Sequence, residues 1–288
     1  MMEAATAAGL DDGALSAFVE MVLGEDLGAG DATSNATIPP DMRFSAVLAA
    51  RQPIVVAGLE LAAAFFRRLD PAVEIEFVAK DGEAVDAGTP ILRLAGLARP
   101  MLAAERSALN TLQHLSGIAT VTREYADAIA GTGCILLDTR KTIPGLRVIE
   151  KYAARMGGAQ NHRMRLDDGI LIKDNHIAAR GGVAATVAAA KAANTGLEVQ
   201  VEVDTVDQIE PALKAGADRL LCDNMDLATL REAVRVVAGR VPIEASGGVR
   251  LNTIRDIALT GVTYVSVGRI TQSSPAADIG LDYSPTAA

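Results

Sequence analysis

From residue 134 onward the chain repeats one pattern: a short Val/Ile/Leu-rich run, polar residues where the run ends, then a stretch of helical period. The runs cover 134–141, 169–176, 197–205, 217–225, 241–248 and 262–269, and helix-like segments follow the later ones at 183–194, 206–215, 227–238 and 252–260. Strand and helix alternating at roughly twenty-residue spacing predict parallel βα units. Six units are too few for a closed eightfold barrel. The expected fold class is therefore α/β, an open, incomplete βα barrel of about six parallel strands; a doubly wound sheet is the alternative. Either way, chemistry gathers at the C-terminal ends of the strands.

The first third reads differently. Residues 11–26 form a predicted helix with Leu15, Phe18, Val19, Val22 and Leu23 on one side, and strand-like stretches follow at 43–50, 52–57, 73–79 and 90–94, with a helix at 59–69. This predicts an N-terminal α+β sandwich domain over 1–116, onto which the tail 273–288 packs, and a barrel domain over 117–272. Pro100 opens a helix striped by Leu102, Leu109 and Leu112. Gly117 is expected to end it, and a further helix to cover 118–130.

No apolar run is long enough to span a bilayer, and the N-terminus lacks the basic and Leu-rich regions of a secretory signal, so a cytoplasmic protein with no membrane partner is expected. Cys134 and Cys222 lack metal or redox spacing and read as buried free thiols. A net charge of −9, with 3% aromatic residues and no Trp, argues against nucleic acid. That charge is uneven. Residues 138–176 hold eight of the 27 Lys and Arg and two of the three His, and stand at +3 against −12 for the rest. Cations gathered around Gly-Gly and Pro-Gly turns suggest a pocket for a small, multiply anionic ligand.

The strand ends carry, in order, Asp138/Arg140/Lys141, Lys173/Asp174, Glu202/Asp204, Asp223/Asn224, Ser246/Gly247/Gly248 and Gly268/Arg269. Glycines at the last two ends let backbone N–H groups approach a phosphate, as in the late strands of many βα barrels. Glu202 and Asp223 suit Mg²⁺, which takes one or two carboxylates with ligand phosphates; they could equally hold ribose hydroxyls or form a polar strand face. Lys173 at a strand end also admits a Schiff-base aldolase. Arg106, alone, reads as a surface residue paired with Glu105 or water, and His114 and His176 as structural.

Taken together, GDATSNATIP, VVAGLE, AERSALNTLQHLSGIAT, DTRKTIPGLR, GGAQNHR, LIKDNHI, VEVD, CDNM, EASGG and the terminal DIGLDY resemble quinolinate phosphoribosyltransferase over nearly the whole chain. The resemblance implies Mg²⁺-dependent joining of quinolinate to phosphoribosyl pyrophosphate, giving nicotinate mononucleotide, pyrophosphate and CO₂ in NAD biosynthesis. It implies a homodimer or higher homo-oligomer and assigns Arg140, His162, Arg163 and Lys173 to the dicarboxylate, with Arg106 reaching in from a partner subunit. Thr139 joins the substrate-binding set. Lys141, Glu202 and Asp223 would face ribose, pyrophosphate and Mg²⁺; Ser246, Gly247, Gly248, Val267, Gly268 and Arg269 would cradle phosphate. Lys141, Lys173, Glu202 and Asp223 carry the implied catalytic roles. Ala159, Arg165 and Gln272 depart from the usual pattern, and Arg165 is expected to add a cation near the pocket. A non-catalytic anion-binding paralogue shares the fold, but retention of Lys173 argues against it.

Overall fold

A computed structural model describes residues 7–285. In chain order its α-helices and strands are α1 (Asp12–Leu27), α2 (Ala32–Thr37), β1 (Arg43–Ala50), β2 (Ile54–Val55), α3 (Leu59–Leu69), β3 (Glu74–Phe77), β4 (Ala84–Val85), β5 (Pro90–Leu97), α4 (Ala98–Ala128), β6 (Ile135–Leu137) and α5 (Arg147–Gly157). There follow β7 (Ile170–Ile172), α6 (Asp174–Arg180), α7 (Val183–Ala192), β8 (Val199–Val203), α8 (Ile209–Lys214), β9 (Arg219–Asp223), α9 (Leu227–Val237), β10 (Ile243–Ser246), α10 (Ile254–Ala258), β11 (Tyr264–Ser266), α11 (Arg269–Gln272) and β12 (Ile279–Pro285). Among the described residues no helix is long and apolar enough to cross a membrane.

Two compact units divide the chain: one holds the N-terminal part to Arg123, the segment 144–158 and the tail from Ser273, the other 124–143 and 159–272. The first unit contains a sheet in the order β12-β1-β5-β3, antiparallel throughout. Its core joins Leu48, Leu92 and Ile91 to Phe65, Phe66 and Leu112. Helix α3 forms because its apolar residues, Leu61, Ala62, Phe65 and Phe66, fall on one buried side, while Glu60 and Arg67 pair at 2.8 Å on the other. The sequence expectations differ here in two ways. Gly117 does not end a helix: α4 runs unbroken for 31 residues, because a glycine is needed where the helix meets the tail, and a Cβ there would lie 2.0 Å from the Pro275 carbonyl oxygen. The segment 144–158, expected within the barrel domain, groups with the first unit. Its helix α5 buries Ile149, Ala153 and Ala154, and Tyr152 donates to Asp81 at 2.7 Å.

The second unit is a six-stranded parallel sheet in the order β6-β11-β10-β9-β8-β7. The first strand lies beside the last, as in a barrel and not in a doubly wound sheet. Among the described residues β6 and β7 share no ladder, so the ring stays open. Val199, Val201, Val203, Leu220, Cys222, Ile243 and Ala245 point outward under the helices and form the core of this unit. The alternate positions, Gln200, Glu202, Arg219, Asp223, Glu244 and Ser246, therefore face the interior. Cys134 and Cys222 are free thiols, and burial raises their pKa to about 11 and about 12.

Candidate active site

The interior positions and the loops at the strand ends enclose a cavity of about 460 Å³ within the second unit, a size typical of small-molecule sites. Six Lys or Arg residues line it (Arg140, Lys141, Arg163, Lys173, Arg250 and Arg269) against three carboxylates, Glu202, Asp223 and Glu244. Thr139, His162, Ser246, Gly247, Gly248, Val267 and Gly268 complete the predicted residues that it brings together. Arg106 is not among them; it is exposed on α4 in the first unit.

Each strand end sets its side chains by local chemistry. Beyond β6, the buried Asp138 carboxylate accepts the His162 backbone N–H at 2.8 Å and the Asn161 side-chain amide, so one carboxylate ties the 161–163 loop to the strand end. The Arg163 guanidinium donates to the Gly169 carbonyl at 2.9 Å, and Arg163 sits near Arg140. Burial first, and the Arg140 charge second, lower the Arg163 pKa, the mark of two cations crowded toward one anion site. Lys173 follows β7 and its ammonium donates to Glu202 at 2.6 Å. His176 supports it from the first turn of α6, where its Nδ1 accepts the Lys173 N–H at 2.9 Å. His114 is structural in the first unit, bonded to Glu150 at 2.9 Å.

The glycine turns are built for close approach. Gly247 has φ +92°, and a Cβ would stand 2.2 Å from Asn224 Oδ1. Gly248 also has positive φ, and any Cβ on Gly268 would meet the Lys141 side chain at 2.8 Å. The Lys141 backbone is fixed in turn, its N–H by Thr139 Oγ1 at 3.0 Å and its carbonyl by Thr271 Oγ1 at 2.8 Å. On the acidic side, oxygens of Glu202, Asp204 and Asp223 lie within 4.8 Å of one another. Such a set of hard oxygen donors fits Mg²⁺.

Some of this was not foreseen. Glu244, Arg250, Ser266 and Gln272 line the cavity without having been named as site residues. Asp204 joins the carboxylate set because it follows Glu202 by two positions, just past the end of β8. Arg165, expected to add a cation near the pocket, is exposed, its N–H bonds Asp168 at 3.2 Å, and it does not line the cavity. Lys173 is 48% exposed and paired with a carboxylate. Schiff-base chemistry needs the opposite, a lysine desolvated in apolar surroundings or crowded by another cation.

The comparisons with known proteins agree with this geometry. Residues 31–116 match the N-terminal domain of quinolinate phosphoribosyl transferase, and residues 118–282 its C-terminal domain. The chain belongs to the quinolinate phosphoribosyltransferase family. It is 41% identical over 287 residues to the chloroplastic nicotinate-nucleotide pyrophosphorylase [carboxylating] of Arabidopsis thaliana, covering 93% of this chain and 82% of that protein. A probable nicotinate-nucleotide pyrophosphorylase [carboxylating] of Synechocystis is 40% identical, with 92% and 90% covered. The solved nicotinate-nucleotide pyrophosphorylase of Francisella tularensis superposes with a TM-score of 0.93 at 37% identity, over 98% of this chain and 100% of that one. Membership in the quinolinate phosphoribosyltransferase family accounts for the open ring and for the separate antiparallel sheet.

Proposed function

We propose that this chain is a decarboxylating phosphoribosyltransferase of NAD biosynthesis, converting quinolinate and phosphoribosyl pyrophosphate to nicotinate mononucleotide, pyrophosphate and CO₂. One observation carries the reading: a single cavity joins crowded cations, paired carboxylates and two glycine turns, in a chain of this family. Arg140, Arg163 and Lys173 supply the charge that a pyridine dicarboxylate requires. The Gly247–Gly248 turn and Gly268 offer backbone donors to phosphate, with Lys141 beside them.

In this arrangement the cations orient the dianion so that its ring nitrogen faces the anomeric carbon of the ribose. The nitrogen lone pair forms the new N–C bond as the C–O bond to pyrophosphate breaks, and that electron pair leaves with pyrophosphate. The pyridinium then draws electrons. When the adjacent carboxylate departs as CO₂, its C–C bonding pair remains on the ring carbon beside N⁺, and a proton takes its place. Glu202, Asp204 and Asp223 would hold Mg²⁺, which when bound neutralises charge on the pyrophosphate oxygens. The enzyme works as a homo-oligomer of at least two subunits, with Arg106 of one subunit completing the site of another.

Carboxyl-labelled quinolinate tests the reading. Label is released as CO₂ only when both phosphoribosyl pyrophosphate and Mg²⁺ are present; binding without release makes the chain an anion-binding protein, and release without the sugar refutes phosphoribosyl transfer.

A further inference from the structure

Below the cations, the barrel floor holds a buried polar group that the reaction above leaves without a task. Glu244, on β10, is fully buried. Its Oε2 accepts the Gln200 amide from β8 and the Arg219 guanidinium from β9, each at 2.8 Å, and Arg219 in turn stacks on the Tyr264 ring of β11 at 3.9 Å. The same oxygen lies 3.4 Å from His162 Nε2. Burial disfavours its charge, but the hydrogen bond from His162, the Arg219 charge and the Ser266 hydroxyl oppose burial, and its pKa lies below the ordinary value.

The other side of the imidazole fixes the tautomer. His162 Nδ1 accepts the Arg163 backbone N–H at 2.8 Å. An atom that accepts a hydrogen bond carries no proton, so the one ring proton sits on Nε2, toward Glu244. Both ring nitrogens are thereby occupied within the protein, and neither is left to meet a substrate carboxylate as a cation. We infer that Glu244 is a positioning residue for the dicarboxylate end of the site: it holds a neutral His162 by Nε2–H, and the ring's bare Nδ1 anchors the Arg163 backbone and so aims the guanidinium. The relay runs from the barrel floor through an uncharged ring to a gripping cation. This inference rests on the proposed phosphoribosyl transfer for its kinetic consequences, but the state of the ring does not depend on the reaction.

Two measurements test it. Nitrogen-15 NMR of the imidazoles, with the His162 signals assigned by their loss in His162→Asn, is expected to show the Nε2–H tautomer at neutral pH in the ligand-free chain. The Nδ1–H tautomer or an imidazolium would overturn the inference whatever the enzyme turns over. For kinetics, Glu244→Gln alone strands the Arg219 charge and risks misfolding, so the compensated pair Glu244→Gln with Arg219→Gln is compared with it. In the pair the KM for quinolinate rises about tenfold or more, the loss a misaimed group gives, while the KM for phosphoribosyl pyrophosphate stays within about twofold. Adding His162→Asn to the pair costs little more, because the relay is already cut. Recovery of the normal quinolinate KM in the pair shows that Glu244 merely balances Arg219, and overturns the inference. A wild-type chain that releases no CO₂ refutes the transfer reading instead, and the NMR spectrum then decides the ring contact by itself.

Discussion

Lys173 stands where the cationic and acidic halves of the cavity meet, since its ammonium is bonded to Glu202 at 2.6 Å. A charge-assisted hydrogen bond contributes about 1.5–3 kcal/mol, so Lys173→Ala is expected to lower kcat/KM for quinolinate by about tenfold to a hundredfold; unchanged kinetics would remove it from the site. Gly247 makes a second prediction. With φ +92° and an added Cβ 2.2 Å from Asn224 Oδ1, Gly247→Ala must move the turn, and the KM for phosphoribosyl pyrophosphate rises about tenfold or more. A near-normal KM would show that this turn does not meet phosphate. Arg140, Lys141 and Lys173 were legible in the sequence because charge placed directly after an apolar run stands out. Glu244 was not. It lies inside a strand run, EASGG, and only the folded sheet reveals that its side chain lies beside His162 rather than in solvent. His162 itself read as one more cation because a sequence does not show that the Arg163 N–H occupies Nδ1.

At the level of elements, the alternation of runs and helical segments located all six parallel strands, since strands covered by helices on the outside read as continuous Val/Ile/Leu stretches. What it mistook was a glycine inside a helix. Gly117 was expected to stop α4, yet the residue serves contact: its missing Cβ admits the Pro275 carbonyl. Gly117→Ala therefore costs more than helix propensity predicts. Overpacking typically costs about 1–3 kcal/mol, whereas Ala in an exposed helix would gain up to about 1 kcal/mol over Gly. The sign of the change in urea midpoint decides between them, and an increase would refute the close contact. The segment 144–158 escaped because it lies between two barrel strands in sequence while it groups with the first unit, where Tyr152 bonds Asp81. Position along the chain gives no hint of that return.

Across the whole molecule, several carboxylates carry lowered pKa values, among them Asp168, Asp218 and Glu244. In each, burial raises the value and the bonds outweigh it: backbone N–H groups first for Asp168 and Asp218, and His162 and Arg219 for Glu244. A folded pKa below the unfolded one gives stability that is complete above the unfolded value, about 4 for these groups, and is lost as pH falls through the folded value. The urea midpoint should thus hold from pH 7 to about 5 and decline below about 4; a midpoint that rises on acidification would contradict these assignments. Assembly gives the last prediction at this scale. Arg106→Ala mixed with Lys173→Ala is expected to regain part of the activity through hybrid oligomers, and no recovery in well-mixed heterodimers would place Arg106 outside the site. The central claim is that residues far apart in sequence converge on one cavity for a pyridine dicarboxylate. A crystal structure with quinolinate bound tests it most directly. Both carboxylates should lie within hydrogen-bonding reach of Arg140, Arg163 and Lys173; quinolinate bound elsewhere, with those three side chains turned to solvent, would contradict the account.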